Sequence, residues 1–396
     1  MRRICTAIII NNIILQAICP FQTIQSLSSS NTNANINSHK NNQLPIHTLL
    51  LCRHGNSIWN GGQPGTQETF TGWTDVPLSQ KGIVEARNTA AELALYSYGI
   101  DACFTSILGR ARETAHCCCW ALAEKPQSVL PMRYVSDYRL NERHYGALQG
   151  YVKSHVEQGL HGHDYESVQA WRRSWYAIPP LLEDEDPRRI KELKYNSNIC
   201  GGDKNVPRGE SLEMVAKNRI RPFIDEVLHP MMNAASNKKK EQIQSGVDID
   251  AHKNKHDSTR SQSYEYLSDN HGGCGLVVAH ANSLRALIGV ICQVEESPSS
   301  LKKLESMKIE TGVPLILQYR QLEDGSYEAC DLLVEIDVED QLSKNTSPDL
   351  PVWPLSCIPK RSIEQGQFQY SKSTEREKES AMKKRKGANK IRIDVI

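Results

Sequence analysis

The sequence predicts an α/β protein organised around a parallel sheet, and three observations predict it. Leu49-Leu50-Leu51-Cys52 is an apolar run with no polar face, as expected of a central strand covered on both sides. Gly275 to Ala279 has the same character far along the chain, and a helical stretch, 284–292, follows it. Each run is followed at once by a histidine and a small residue, His54-Gly55 and His280-Ala281. Open α/β sheets bind ligands at the carboxyl ends of their strands, so Arg53, His54 and His280 converge on one expected site. Gly55 is read as the residue that lets the backbone turn at the strand end.

Arginine beside histidine suits phosphoryl chemistry. A guanidinium holds a phosphoryl group by two parallel hydrogen bonds, and an imidazole beside it can attack phosphorus or stabilise it. The dipeptide alone is better read as an ordinary loop pair, and it is the rest of the chain that reverses this reading.

The remaining elements follow in order. Ser79 reads as the N-cap of a helix over 80–96 whose Val84, Leu93 and alanines form the apolar stripe. Before it, Phe70-Thr71-Gly72-Trp73 offers a hydroxyl and bare backbone donors to an anion. A short strand, 102–105, leads to Ser106 and a helix over 109–122 with Arg110 in its first turn. Tyr138 to Gly150 packs an acid, cations, an imidazole and a phenol into one loop, with Lys153 just beyond. Such a loop can shuttle protons, or it can be a salt-bridged structural turn. Arg172-Arg173 suits a multiply charged anion. Gly209-Glu210-Ser211-Leu212 opens a helix ending near Leu228, and strands are expected over 315–319 and 329–334.

Composition bounds the reading. The chain has 396 residues, 39% hydrophobic, enough for a sizeable core. A net charge of +1 makes no global case for nucleic acid. Its 12 cysteines include the run Cys117-Cys118-Cys119, useless for looped bridges, so free thiols in a reducing compartment are expected. His161-Gly162-His163 is more economically read as an exposed loop than as a metal site, and no metal is expected.

Residues 1–45 look different: Arg2-Arg3, a short apolar segment, then a Ser/Asn-rich stretch, with no acid before Glu68. This composition predicts a targeting leader and hence an organellar location, mitochondrion or plastid; an ordinary N-terminal extension would leave the chain cytoplasmic. The apolar segment is too short to span a bilayer, and no membrane partner is expected. Residues 233–272 read as a polar, disordered insertion and 336–396 as a low-order tail. The catalytic domain is placed at 46–335.

Arg53-His54-Gly55-Asn56-Ser57-Ile58-Trp59-Asn60, Phe70-Thr71-Gly72-Trp73, the Glu142 to Gly150 loop, Arg172-Arg173-Ser174 and His280-Ala281-Asn282-Ser283-Leu284-Arg285 together resemble the cofactor-dependent phosphoglycerate mutases of the histidine phosphatase superfamily. The resemblance runs from about Leu49 to Leu333. It implies a three-layer α/β/α fold around a mostly parallel sheet. It also implies interconversion of 3-phosphoglycerate and 2-phosphoglycerate, primed by 2,3-bisphosphoglycerate. By position His54 would carry the phosphoryl group and Glu142 would exchange the proton. Arg53, Arg110, Asn60 and His280 would clamp the transferring group. Asn56, Ser57, Thr71, Gly72, Arg143, His144, Tyr145, Lys153, Arg172, Arg173, Ala281 and Asn282 would complete the substrate site. Relatives are commonly dimers or tetramers. The alternatives are a bisphosphoglycerate synthase or phosphatase on the same scaffold, or a catalytically inert scaffold. Ala281 departs from the glycine common there, and would crowd the site if that position needed positive φ.

Overall fold

In the computed structural model, residues 44–61, 64–96, 100–123, 133–244, 271–330 and 352–354 are described. They form a seven-stranded sheet: β1 (Ile46–Arg53), β2 (Ala102–Thr105), β3 (Arg133–Ser136), β4 (His271–Ala279), β5 (Leu315–Gln321), β6 (Tyr327–Cys330) and β7 (Val352–Pro354). The order is β3-β2-β4-β1-β5-β6, with β7 also on β5. From β3 to β1 every pairing is parallel; β5 runs antiparallel to β1, β6 and β7.

Successive residues of β1 point to opposite faces, and both faces are covered. Leu50 and Cys52 pack with Ala90, Leu93, Ala115 and Leu122 of the helices α1 (Gln80–Tyr96) and α2 (Gly109–Ala123). Leu49 and Leu51 pack on the other side with Phe223, Ile224, Leu228, Leu284 and Leu287. The fold is therefore three-layered, α/β/α, and β1 is apolar on both faces because neither meets water.

On α1 the buried stripe is Ala86, Ala90 and Leu93, while Val84 is 53% exposed. At about 100° per residue, position 84 falls on the side of the helix opposite Ala86, so its expected place in the stripe is corrected. Three short helices follow the loop at 138–150: α3 (Lys153–Glu157), α4 (Tyr165–Arg173) and α5 (Pro187–Cys200). The last begins with Pro187 after the N-cap Asp186 and stops at the left-handed Gly201.

The helix expected to end near Leu228 continues to Gln244. Its contiguous segments are Leu212–Val215, Ala216–Ile220, Arg221–Phe223, Ile224–Leu228 and His229–Gln244, together α6. The start of the expected insertion at Asn233 is thus helical, because tertiary partners take up its polar groups. Asn233 bonds His47 and His229, Ser236 is buried, and Lys239 pairs with Asp101. His271 and Gly272 already belong to β4. The rest of the insertion, 245–270, lies outside the described residues, as does the expected leader except for Leu44 and Pro45.

Of the expected tail only β7 is described, and the rest of 336–396 lies outside the described residues. That strand occupies the edge of β5 at Leu315–Leu317, beside β6, which occupies Gln318–Gln321. β7 thereby pairs backbone groups of β5 at Leu315–Leu317, next to those paired by β6. β6 itself starts two residues before its expected start, and 331–334 of the expected strand lie outside the described residues. Between β4 and β5 lie α7 (Ala281–Ile291) and α8 (Pro298–Ser306). Among the described residues, no helix is long and apolar enough to cross a membrane.

Candidate active site

The register of β1 and β4 assembles the site. Arg53 is level with Ala279, and His54 N donates to Ala279 O at 3.0 Å. The next residue of each strand is a histidine, and the two rings stand 4.9 Å apart at 61°. His54 Nδ1 donates to Gly55 O at 2.7 Å, which leaves Nε2 with its lone pair. Arg110 Nε points at that lone pair from 3.4 Å. Burial, then the charges of Arg110 and Arg53, hold the His54 pKa well below 6.5, so the ring is neutral. His280 is held low by the same causes, burial first and then Arg110, His54 and Arg53.

Gly55 is required for a different reason from the one expected. Its φ is not positive; a Cβ there would lie 2.3 Å from Gly82 O at the start of α1. Close packing, not a turn, demands glycine. Ala281 likewise has no positive φ and opens α7 as an ordinary helical residue, so the expected crowding does not arise.

Arg110 is 1% exposed and braced by two carbonyls, with Nη1 on Thr74 O and Nη2 on Gly72 O, both at 3.0 Å. Burial brings its pKa down to about 10, so it stays charged at neutral pH. Gly72 carries that carbonyl at φ +52, with Gln149 Oε1 only 1.9 Å from where a Cβ would sit. Arg53 donates from Nη1 to Ile309 O at 2.9 Å, and its buried Nε has no partner among the described residues.

Glu142 is 9% exposed, and its Oε1 accepts from Arg143 N at 2.7 Å. Arg143 Nη2 donates to Trp171 O and Arg172 O, while its buried Nε and Nη1 have no partner among the described residues. Its guanidinium lies 4.7 Å from the Tyr145 ring centre. Tyr145 Oη accepts from Asn282 Nδ2 at 2.9 Å, and Asn282 Oδ1 accepts from Arg285 Nη1 at 3.0 Å. One chain of contacts thus joins the Glu142 loop to the start of α7.

Other expected residues are already engaged. Lys153 pairs with Glu68 and Arg172 with Glu157, whereas Arg173 is exposed. Thr71 Oγ1 donates to Thr69 O. Asn60 Oδ1 accepts from both the backbone N and the Oγ of Ser57 at 2.8 Å, closing that turn. The Asn56 side chain donates to Gly61 O and accepts from Ser79 Oγ, so it holds the loop. His144 is not brought to the histidine pair by its ring nitrogens: Nδ1 accepts from Gly146 N and Nε2 faces Glu192.

Several residues escaped the sequence reading. Ser106 Oγ lies 2.7 Å from His280 Nε2. Arg285 is buried, with its pKa lowered to about 10, by burial first. Glu210 and Arg219 form a buried two-point ion pair beneath the Glu142 loop, at 2.8 and 2.9 Å. Arg219 Nη1 also donates to Asn141 O and Nη2 to Glu142 O, and Glu210 Oε2 accepts from His144 N. A charged residue one turn inside an apolar helical stripe was the available signal for Arg219. Among the described residues, no group of three or more His, Cys, Asp or Glu could hold a metal ion.

Comparison with known proteins agrees with this geometry. The profile of the histidine phosphatase superfamily (branch 1) matches residues 49–192. The chain is 32% identical over 277 residues to the 2,3-bisphosphoglycerate-dependent phosphoglycerate mutase of Wigglesworthia glossinidia brevipalpis, covering 70% of this chain and 94% of that one. The corresponding mutase of Baumannia cicadellinicola subsp. Homalodisca coagulata is 33% identical over 279 residues, covering 70% and 92%. The crystal structure of phosphoglycerate mutase from Bacillus anthracis str. Sterne aligns with a TM-score of 0.39 at 20% identity, over 72% of this chain and 92% of that one. With its paired strand-end histidines caged by arginines, the chain belongs to the histidine phosphatase superfamily. Within it, the chain is an enzyme of the 2,3-bisphosphoglycerate-dependent phosphoglycerate mutase family.

Proposed function

We propose that this enzyme interconverts 3-phosphoglycerate and 2-phosphoglycerate through a phosphohistidine on His54. The observation that carries the reading is the state of His54: Nδ1–H is spent on Gly55 O, and Nε2 keeps its lone pair facing the Arg110 guanidinium, with the charge of Arg53 close by. A neutral, oriented imidazole is what nucleophilic attack on phosphorus requires. The cage supplies charge neutralisation and positioning, the main needs of phosphoryl transfer.

Buried nitrogens without partners among the described residues suit an anion: Arg53 Nε, Arg143 Nε and Nη1, and His280 Nδ1. That donor set fits 2,3-bisphosphoglycerate, which when bound supplies the first phosphoryl group. In one half-reaction His54 Nε2 bonds to phosphorus as the bond to the departing oxygen breaks, and Glu142 gives that oxygen its proton. In the other, Glu142 takes the proton from the attacking hydroxyl as the N–P bond breaks. Arg110 Nε, which faces Nε2 in the resting protein, then serves the phosphoryl oxygens.

The test is a product assay with 3-phosphoglycerate and trace 2,3-bisphosphoglycerate. 2-Phosphoglycerate should form, and His54→Ala should abolish both turnover and acid-labile phosphate labelling. Free phosphate without 2-phosphoglycerate would overturn the mutase reading in favour of a phosphatase. The same reading includes a homo-oligomer, a dimer or tetramer, which light scattering measures. It also places a catalytic domain at 46–335 behind an organellar leader; a fluorescent fusion that stays cytoplasmic would remove the leader.

A further inference from the structure

We infer that Ser106 is a positioning residue that fixes the hydrogen of His280 on Nδ1, so that this neutral ring presents an N–H to the transferring phosphoryl group. The inference rests on the function proposed above and concerns a residue outside the expected site.

Ser106 directly follows β2, whose Thr105 is level with Val278 of the neighbouring β4. That register brings Ser106 beside His280, and both are fully buried. Ser106 Oγ accepts from Leu108 N at 3.3 Å and lies 2.7 Å from His280 Nε2. His280 caps the start of α7 with its side chain beside Ser283 N, but its buried Nδ1 forms no hydrogen bond of acceptable geometry among the described residues.

Counting hydrogens separates the two neutral forms of the ring. A neutral imidazole has one N–H and one acceptor nitrogen. With the hydrogen on Nδ1, Nε2 accepts the Ser106 hydroxyl hydrogen, and one buried donor, Nδ1–H, is left open. With the hydrogen on Nε2, it would point at Ser106 Oγ. The hydroxyl hydrogen would then have no acceptor among the described residues, and the Nδ1 lone pair would be open as well. Two unsatisfied buried atoms cost more than one, so the Nδ1–H form prevails.

The open donor is the useful one. Burial and the neighbouring cations keep His280 neutral, so it offers a phosphate oxygen a hydrogen bond only through whichever nitrogen carries the hydrogen. His54 has the same tautomer and uses its other nitrogen: Nδ1–H is anchored on Gly55 O and Nε2 attacks. Two rings in one tautomeric state thus present a nucleophile and a donor to one phosphoryl group. Both states are set by neighbours that never touch the substrate.

The experiment uses the full chain with 15N-labelled histidine. Long-range 1H–15N correlation spectra distinguish a ring nitrogen that bears hydrogen from one that does not, and the His280 signals are identified by their loss in His280→Ala. The resting wild-type protein should show hydrogen on Nδ1, and Ser106→Ala should move hydrogen toward Nε2. Ser106→Ala should lower kcat about tenfold with KM within about twofold, and Ser106→Thr, which keeps the hydroxyl, should restore most of it. In a His280→Ala background, Ser106→Ala should cost nothing more. Hydrogen on Nε2 in the wild-type protein would overturn the inference. So would an equal loss from Ser106→Ala with and without His280, which marks a purely structural role. Failure of the mutase reading would appear separately, as absent 2-phosphoglycerate, while the resting spectrum still reports the tautomer.

Discussion

Removing the Arg219 guanidinium should disable the loop that carries Glu142 while altering none of the proposed substrate-contacting residues themselves. Arg219 is 4% exposed and uses all three guanidinium nitrogens: Nε and Nη2 on Glu210, Nη1 on Asn141 O at 2.9 Å, Nη2 on Glu142 O at 3.3 Å. Glu210 in turn accepts from His144 N, and its own N donates to His144 O. The pair therefore grips the chain on both sides of Arg143. Arg219→Met leaves a carboxylate buried and unpaired, which costs about 3–5 kcal/mol. That is a large part of the roughly 5–15 kcal/mol by which a domain is stable. Arg219→Lys keeps the charge but not the two-point geometry, and should cost about 2–3 kcal/mol. Urea unfolding at pH 7 measures both, with the midpoint falling at constant m. Steady-state kinetics should show kcat falling more than KM rises, because the proton carrier is displaced while the cationic cage persists. The decisive variant is the double replacement Glu210→Leu with Arg219→Met. Many buried ion pairs are replaced by apolar residues without loss. Here the carbonyls of Asn141 and Glu142 and the amide of His144 would lose their partners, so the double variant should remain less stable and slow. A double variant as stable and active as the wild type would refute the reasoning.

Two predictions concern pH. His47 is fully buried, and its pKa is lowered from 6.5 to about 4, by burial first and the nearby His229 second. A lowered folded pKa means the unfolded chain binds the proton first, so stability is intact above pH 6.5 and falls as pH drops toward 4, by about 3 kcal/mol in all. Urea midpoints across that window should flatten in His47→Gln relative to the wild type, and an unchanged slope would exclude His47 as the source. The second concerns activity. Protonation of His54 Nε2 removes the nucleophile, and its pKa lies well below 6.5, so kcat/KM should be flat from pH 7.5 to 6.5 and fall only at lower pH. Arg110→Met removes the second-largest cause of that depression and should move the acid limb upward as well as slow the enzyme; an unmoved limb would refute the assignment of the limb to His54.

What the sequence determined by itself was whatever depends on short-range pattern. The both-faces-apolar run at Leu49 to Cys52 could only be a covered strand, and the histidines ending two such runs could only stand at strand tips. Hence α1 and β2 fall on their expected residues, and His54 meets His280. The tertiary structure decided everything that turns on a partner distant in the chain. Asn233 to Gln244 has too little apolar character to announce a helix, yet its polar groups find His47, His229 and Asp101 across the fold. Gly55 looked like a hinge and proved to be a contact with Gly82. Ser106 carries no local signature, and Arg219 shows only as a charge inside an apolar stripe, because their roles exist only in the atoms they face: a ring nitrogen 174 residues away and a carbonyl 77 residues away. Periodicity reports which way a side chain points relative to its own helix or strand; it holds no record of what arrives on the other side.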